Sequence, residues 1–379
     1  MREEKTNLTE LTETRKNDHL EICLKENVQA RRITTGFEDL YLVHRALPEI
    51  NRKEIDLHTK FLNHSFSAPL IVESMTGGVA NATRVNAAIA RAVDELNLGI
   101  GVGSQRAAVE NPTLEKTFSV VRKEAPHAFV MANLGAAQLV KGYGIREATR
   151  AVEMLKADAL TIHLNPLQEA VQREGETSYV GVTKAIGRIV DELDVPVIVK
   201  ETGCGIGAAE AQELENIGVA AIDVAGAGGS SWAAVEFFRA RKHNDETGQR
   251  LGEVFWDWGI PTAASLVEAA RRVKVPVIAS GGIRSGIDMA KALAVGASLS
   301  GIAYPVLDPA THGAEDVKKK LQSMIEELRN TMFLVGADSV EKLKKTPVIF
   351  TGKMANWLTM RGFNVQIYAR RDLQKRGGN

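Results

Sequence analysis

The 379-residue chain carries 47 basic and 47 acidic residues, so its formal net charge is zero and no overall field favours nucleic acid or an anionic membrane. Hydrophobic residues make up 44% and charged residues 25%, which is ordinary for a globular protein, and no run approaches the roughly 20 apolar residues of a membrane span. With two cysteines and a charged first segment, MREEKTNLTE, we expect a cytoplasmic protein without disulfides or a signal peptide.

Residues 1–69 precede the first strong strand pattern and are predicted to form an N-terminal extension. A short helix is expected over residues 11–24. Spacings of three and four residues there bring Arg15, Lys16 and His19 to one helical face. The charge pattern alone favours a solvated basic surface for this face.

From residue 69 the sequence alternates short apolar runs with amphipathic helical stretches. Eight runs are predicted to be buried parallel strands, because each is short and ends abruptly in glycine or small polar residues. These runs cover residues 69–72, 98–102, 129–131, 159–162, 197–199, 221–224, 277–279 and 297–302. The repeated alternation predicts an α/β fold of the (β/α)₈ TIM-barrel type. A doubly wound sheet is the alternative, although it rarely sustains eight similar units.

The remaining segments are arranged around this barrel. We expect one domain over residues 1–379, with the barrel over 69–305 and C-terminal helices over 306–379. Residues 55–57 and 60–62 are predicted to form a short hairpin that closes the bottom of the barrel.

The connection after the sixth predicted strand is unusually long, since some fifty residues separate Val224 from Val277. It is rich in aromatic residues between positions 232 and 258. Long loops in compact domains are usually functional lids or interaction surfaces. The alternative is that the aromatic side chains simply pack an extra helix, and the sequence leaves both interpretations open.

In a (β/α)₈ barrel the site lies at the carboxyl ends of the strands. That rule selects a polar set of residues: Thr76, Ser104, Gln105, Arg106, Asn133, His163, Asn165, Gln168, Glu169, Lys200, Ser230, Gly282, Arg284 and Ala303. The loops after the seventh and eighth strands, residues 281–284 and 301–304, occupy the position where such barrels often hold a phosphate. A phosphate-bearing cofactor is therefore expected.

Three of these side chains have alternative interpretations. Lys200 is suited to a Schiff base or to stabilising an anionic heterocycle, or it pairs with Glu201 or Asp223. Glu169 is either a magnesium ligand or an acidic residue that complements a helix dipole. His163 is either a general acid or a satisfied core group.

Several motifs together resemble the type 2, flavin-dependent isopentenyl-diphosphate isomerases. They are RKNDH at 15–19, SMTGG at 74–78, GVGSQR at 101–106, HLNPLQE at 163–169, KETGCG at 200–205, AGAGGSSW at 225–232, GIPT at 259–262 and SGGIR at 280–284. The combination of the first motif with HLNPLQE is specific to that family among flavin barrels. The resemblance covers nearly the whole predicted barrel.

The resemblance implies FMN, Mg²⁺ and NADPH as the reductant that primes the flavin. It implies flavin contacts from Ser74, Met75, Thr76, Ser104, Asn133, Lys200, Ser230, Gly282, Ile283, Arg284, Ala303 and Tyr304. It implies substrate contacts from Arg15, Lys16, His19, Ser104, Gln105, Arg106, Asn165 and Gln168. Lys200, His163 and Gln168 would be catalytic, and Glu169 would hold the metal.

The implied reaction converts isopentenyl diphosphate into dimethylallyl diphosphate in isoprenoid biosynthesis, with reduced FMN as the acid and base. A homo-oligomer, a tetramer or octamer, is expected by resemblance, with no nucleic-acid or membrane partner. A 2-hydroxyacid oxidase is a rival, but no histidine lies between His243 and His312 to serve it. An IMP-dehydrogenase-like enzyme would need a suitable loop around Cys204, and a non-catalytic flavin sensor would bind the cofactor without isomerase activity.

Overall fold

The computed structural model describes residues 2–373, with side chains from residue 14 onward. The N-terminal extension begins with helix α1 (Arg2–Lys25), which includes the predicted helix and is longer. A 3₁₀ turn (Phe37–Asp39), strand β1 (Leu40–Leu42) and a second 3₁₀ turn (Arg52–Glu54) follow.

The hairpin before the barrel exists but is displaced from its predicted position. Its strands are β2 (Thr59–Phe61) and β3 (His64–Phe66), so the predicted first strand at 55–57 was wrong. Leu62 and Asn63 form the turn, and both have positive φ angles of 44° and 65°. Such two-residue turns usually contain glycine, so Leu62 and Asn63 are weak indicators of this one.

A closed barrel of eight parallel strands forms the centre of the molecule, as predicted. The strands are β4 (Leu70–Val72), β5 (Gly99–Gly101), β6 (Phe129–Gly135), β7 (Ala159–Leu164), β8 (Val197–Glu201), β9 (Ala221–Asp223), β10 (Val277–Ala279) and β11 (Leu299–Ile302). The barrel closes where β11 pairs with β4. Nearly every strand residue is buried, which explains why these runs are continuously apolar.

Helices surround the barrel and connect its strands. In chain order they are α2 (Ala80–Glu95), α3 (Arg106–Glu110), α4 (Lys116–Glu124), α5 (Ala136–Val140), α6 (Ile145–Leu155), α7 (Pro166–Val171), α8 (Val182–Glu192), α9 (Ala208–Asn216), α10 (Trp232–Lys242), α11 (Glu246–Val254), α12 (Thr262–Arg272), α13 (Gly286–Val295) and α14 (Tyr304–His312). No helix within residues 2–373 has the length and apolar character needed to cross a bilayer.

The C-terminal segment packs against the outside of the barrel. It comprises α15 (Ala314–Leu334), α16 (Val340–Leu343), β12 (Val348–Phe350), α17 (Gly352–Met360) and α18 (Gln366–Ala369). Strand β12 pairs antiparallel with β1, which joins the C-terminal segment to the N-terminal extension. Glu268 of α12 is buried and accepts hydrogen bonds from Trp357 at 3.0 Å and from Arg361 at 2.8 Å, which fixes α17 in place.

The displaced hairpin does close the bottom of the barrel. Phe61 and Phe66 form an aromatic cluster with Phe129, with ring centroids 5.9 and 5.6 Å apart. Ile71 and Met131 belong to the same buried cluster. This apolar cluster fills one end of the barrel, and the cavity described below lies at the opposite, carboxyl end.

The long connection after the sixth barrel strand forms α10 and α11, and its aromatic residues pack this extra pair of helices. Phe237 and Phe238 lie 5.5 and 5.8 Å from Trp256, measured between ring centroids. Ile22 and Val28 of the N-terminal extension belong to the same buried cluster. The insertion therefore supports α1 above the barrel mouth.

Candidate active site

A cavity of about 270 Å³ lies at the carboxyl ends of the barrel strands, with residues of α1 and α10 lining its outer side. It contains twenty of the predicted site residues: Arg15, Lys16, His19, Ser74, Met75, Thr76, Ser104, Arg106, Asn133, His163, Asn165, Gln168, Glu169, Lys200, Ser230, Gly282, Ile283, Arg284, Ala303 and Tyr304. Residues distant in sequence thus meet in one space, as the barrel geometry requires.

Gln105 is the one predicted site residue that the structure does not bring to the cavity. Its side chain is fully buried behind the strand ends. Its Oε1 accepts a hydrogen bond from the backbone nitrogen of Asn133 at 2.8 Å, and its Nε2 donates to the carbonyl oxygen of Ala151 at 2.8 Å. Gln105 therefore holds β6 against α6, which is a structural position and not a substrate contact.

Lys200 combines a cavity position with ion pairing. Its Nζ lies 3.3 Å from Oδ2 of Asp223 and 3.6 Å from Oε2 of Glu73, and it donates to the carbonyl oxygen of Glu201 at 2.8 Å. Burial alone would lower the pKa of Lys200, but Asp223 and Glu73 outweigh burial and raise it. A lysine that stays protonated is a poor amine nucleophile, so the geometry favours electrostatic stabilisation over a Schiff base.

His163 is neutral in this site. Its Nδ1 lies 2.8 Å from Oδ1 of Asn133, and an amide oxygen only accepts, so Nδ1 carries the proton. Burial, and then the cations Lys200 and Lys16, lower the pKa of His163 to about 3. Asn133 is itself held by the hydrogen bond from its Nδ2 to Ser74 at 3.0 Å. The neutral ring can accept a hydrogen bond at Nε2, but it is not an imidazolium acid.

Two glycine-rich loops form a backbone cradle after β9 and β10. A Cβ atom built on Gly229 would lie 2.5 Å from the backbone nitrogen of Gly282, so these loops pack with no room for a side chain. Gly282 also has a φ of 74°, which L-residues rarely adopt. Bare N–H groups in such a loop can approach a phosphate closely.

Arg284 gives this cradle a positive charge. Its guanidinium donates to Oε1 of Gln29 at 2.8 Å and lies 5.2 Å from the centre of the Tyr304 ring. Among the described residues, no carboxylate lies within ion-pair distance of Arg284. Burial lowers its pKa, although arginine remains a cation at neutral pH. An incoming phosphate dianion would supply the missing counter-charge, so these residues fit the FMN phosphate.

The basic face of α1 points into the cavity, so its interpretation as a solvated surface was wrong. Lys16 is half-buried and donates to the carbonyl oxygen of Ser104 at 2.7 Å. Burial, and then Arg15 and Arg106, lower the pKa of Lys16 to about 7. Crowding three cations raises their mutual repulsion, which an anion between them would relieve. The strands below Lys16 and below the glycine cradle lie on opposite sides of the barrel.

Glu169 lies in a polar group beside these cations. Its Oε1 accepts from Asn165 Nδ2 at 3.0 Å, and its Oε2 accepts from the backbone nitrogen of Glu176 at 2.7 Å. Burial is the main cause that raises its pKa. Within the described part of the chain, no cluster of three histidine, cysteine or acidic residues could hold a metal by itself. A single carboxylate fits Mg²⁺ only where substrate phosphate oxygens complete its coordination.

Sequence reasoning missed two acidic residues of this cavity region. Glu236 of α10 is 2% exposed and bridges His19, at 2.8 Å, and Arg239, at 3.0 Å. Burial alone would raise the pKa of Glu236, but His19 and Arg239 lower it. Glu73 stands directly before the SMTGG motif and lines the cavity. The place of Glu73 at a strand end could have identified it as a site residue. For Glu236, nothing in the sequence of the insertion showed which face of α10 points towards the barrel.

The fold and the cradle, together with the family match that follows, define an FMN-binding barrel. The FMN-dependent dehydrogenase family matches residues 148–349. Among solved structures, a flavocytochrome b2 variant with sulfite bound is similar at a TM-score of 0.60 and 18% identity, over 86% of this chain and 81% of that one. Mandelate oxidase with benzoyl-formic acid is similar at a TM-score of 0.56 and 17% identity, over 84% of this chain and 88% of that one. At these identities the likeness shows the fold alone.

Sequence relatives define the family more narrowly. The isopentenyl-diphosphate delta-isomerase of Methanothermobacter thermautotrophicus is 51% identical over 357 residues, covering 94% of this chain and 99% of that protein. The enzyme of the same name from Pyrococcus furiosus is 50% identical over 358 residues, covering 92% of this chain and 90% of that protein. The chain belongs to the isopentenyl-diphosphate delta-isomerase family, in its flavin-dependent, type 2 form.

Proposed function

We propose that this protein interconverts isopentenyl diphosphate and dimethylallyl diphosphate, using reduced FMN, Mg²⁺ and NADPH as the reductant. The observation that carries the proposal is one cavity with two separate places for anions. One is the glycine cradle with Arg284, and the other is the cation group of Arg15, Lys16 and Arg106. A flavin phosphate and a substrate diphosphate need two such places.

Reduced FMN, when bound, supplies the proton donor and acceptor that an unactivated alkene needs. The protein's own residues fix the geometry and the charge. Lys200 keeps a buried cation at the inner end of the cavity, where it favours a negatively charged, reduced cofactor. His163 presents a neutral nitrogen that can position a cofactor or substrate group without adding another positive charge.

The outer residues are suited to holding the substrate. Arg15, Lys16 and Arg106 would contact the diphosphate, and Glu169 would share Mg²⁺ with its oxygens. Helices α1 and α10 cover this side of the cavity and limit the access of water. Exclusion of water matters because the reaction passes through positive charge on carbon, which water would trap.

The test is an anaerobic assay of the purified protein with isopentenyl diphosphate, Mg²⁺ and NADPH, with and without FMN. We expect dimethylallyl diphosphate only when FMN is present. Flavin bound without isomerisation would favour the non-catalytic flavin sensor instead, and oxidation of a 2-hydroxyacid by the same preparation would favour the oxidase.

We also propose that the protein is a homo-oligomer, a tetramer or octamer. Tyr41 and Ile349 pair across β1 and β12 on an outer face and are 58% and 38% exposed. Exposed apolar side chains mark protein–protein contacts where they belong to a larger contiguous patch. Light scattering of the purified protein tests this, and a monomer at micromolar concentration would contradict it.

A further inference from the structure

Glu73 is a buried carboxyl group that the proposed chemistry does not use. It follows β4 in the barrel interior, is 4% exposed and lines the inner end of the cavity. Neither of its carboxyl oxygens has a hydrogen-bond partner among the described residues. Burying an ionised carboxylate in this way is costly, so its protonation state must depend on its neighbours.

Those neighbours are one lysine and a second carboxylate. Lys200 Nζ lies 3.6 Å from Glu73 and 3.3 Å from Asp223, so two acidic groups converge on one cation. Asp223 is the better stabilised of the two, since its Oδ1 accepts from Ser280 Oγ at 2.6 Å. On the strand beside Lys200, His163 is neutral and adds no charge.

The distribution of hydrogen bonds therefore assigns the negative charge to Asp223 and the proton to Glu73. Burial, and then Asp223, raise the pKa of Glu73 to about 8. Below that pH the cluster of Lys200, Asp223 and Glu73 carries no net charge. Above it the cluster carries one negative charge, directly beneath the cavity.

We propose that Glu73, acting through Lys200, controls how strongly the site favours the reduced and anionic form of bound FMN. This inference rests on the proposed function, because it needs FMN in the cavity. When Glu73 is protonated, Asp223 and the cofactor are the groups that interact with the positive charge of Lys200. When Glu73 is ionised, it also attracts the charge of Lys200 and repels the anionic form of the reduced cofactor. Glu73 is thus a positioning residue, since its effect reaches the cofactor through Lys200.

We expect reduction of bound FMN to be coupled to an extra uptake of protons. Two-electron reduction of bound FMN to its anionic form consumes two electrons and one proton. The added negative charge raises the pKa of Glu73 further, so a second proton, from solvent, binds its carboxylate when the pH lies above the value for the oxidised protein. The isosteric variant Glu73→Gln has no such carboxylate and cannot take up this proton.

The experiment measures proton uptake and midpoint potential of the FMN-loaded protein during anaerobic dithionite titration, between about pH 6 and about pH 10. For the native protein we expect uptake per two electrons to rise from about one proton to about two above pH 8, with a steeper fall of potential in that range. E73Q should take up one proton throughout and keep a higher potential at alkaline pH. Glu192→Gln, at the exposed end of α8, is the charge-matched control and should behave as native protein.

Two results would overturn the inference. One is a native protein that takes up one proton at every pH, which decides the matter even if E73Q does not fold. The other is an E73Q protein that binds FMN and keeps the native pH dependence. Failure of the native protein to bind FMN at all would instead remove the proposed function and this inference with it.

Discussion

Lys200 Nζ and Asp223 Oδ2 lie 3.3 Å apart inside the barrel, where both side chains are almost fully buried. A buried pair of this kind contributes little net stability, because desolvation offsets the attraction. The position of this pair at the inner end of a cavity is better explained by function, because Asp223 helps to keep Lys200 protonated there. Asp223 is the strongest of the groups that offset the effect of burial on the pKa of Lys200.

The first prediction separates the functional from the structural effect of this pair. Lys200→Met removes the cation and leaves Asp223 unpaired, so we expect it to destabilise the fold by about 3–5 kcal/mol. Turnover should fall by at least about 100-fold. The double variant Lys200→Met with Asp223→Asn should regain most of the stability but none of the turnover. Chemical denaturation and the isomerase assay measure the two effects, and recovery of turnover in the double variant would show that Lys200 has only a structural role.

A second prediction concerns how α1 is held over the cavity. Asp18 is buried and accepts from Lys242 at 2.7 Å and from His243 at 3.0 Å. Hydrogen bonds to charged groups are worth about 1.5–3 kcal/mol, so Asp18→Asn should raise the KM for the diphosphate substrate roughly tenfold or more. The effect on kcat should be smaller, because Asp18 does not contact the cavity.

Glu21 provides the matched control for Asp18. It contacts the same Lys242, at 3.1 Å, but its side chain is 46% exposed. Exposed ion pairs contribute little, so Glu21→Gln should leave KM almost unchanged. Equal effects of the two substitutions would contradict the assignment of Asp18 as the anchor of α1.

The third prediction is a pH dependence at His163. Burial lowers its pKa to about 3, so the ring should not titrate in the activity profile above about pH 5. Asn133→Asp places a carboxylate opposite Nδ1–H, which stabilises the imidazolium and raises the pKa of His163. The kcat/KM profile of this variant should gain an ionisation between about pH 5 and about pH 7. A native profile that already shows this ionisation, and loses it in His163→Gln, would contradict a neutral ring.

The same shift has a consequence for stability. In the unfolded chain His163 has a pKa of about 6.5, above its value in the fold. The unfolded state therefore binds more protons below that pH, and the free energy of unfolding should fall as the pH drops through this range. In His163→Gln the loss of stability on acidification should be smaller, as measured by urea denaturation between about pH 4 and about pH 7.

The fourth prediction tests the metal proposal. Glu169→Gln keeps the shape of the side chain and removes its charge, so the Mg²⁺ concentration for half-maximal activity should rise at least about tenfold. Glu153→Gln on the exposed side of α6 is the control and should leave the requirement unchanged. An unaltered requirement in both variants would show that Glu169 does not hold the metal.

Most of the barrel could be predicted because its strands are buried on both faces and therefore read as continuous apolar runs. The hairpin before the barrel was predicted at the wrong position, because its turn is formed by Leu62 and Asn63, a pair that is not typical of tight turns. Residues at strand ends, such as Lys200 and Glu169, were also predictable, because the barrel geometry brings those ends together.

Two parts of the site could not be predicted from local sequence. Gln105 lies between cavity residues in the sequence, yet its side chain points away from the cavity and hydrogen-bonds to Asn133 and Ala151. The direction in which this one side chain points decides whether it reaches the cavity. Glu236 depends on how α10 of the insertion is oriented over the barrel. That orientation is set by packing against Ile22 and Trp256, which are far apart in the chain.

We expect this protein to use reduced flavin as an acid and base without net redox change. The most direct measurement is the number of isopentenyl diphosphate molecules converted for each NADPH oxidised, under strict anaerobiosis with FMN and Mg²⁺. We expect isomerisation to begin only after the flavin is reduced and then to continue for many turnovers with no further loss of NADPH. Stoichiometric oxidation of NADPH with each product, or equal rates with the flavin oxidised, would contradict it.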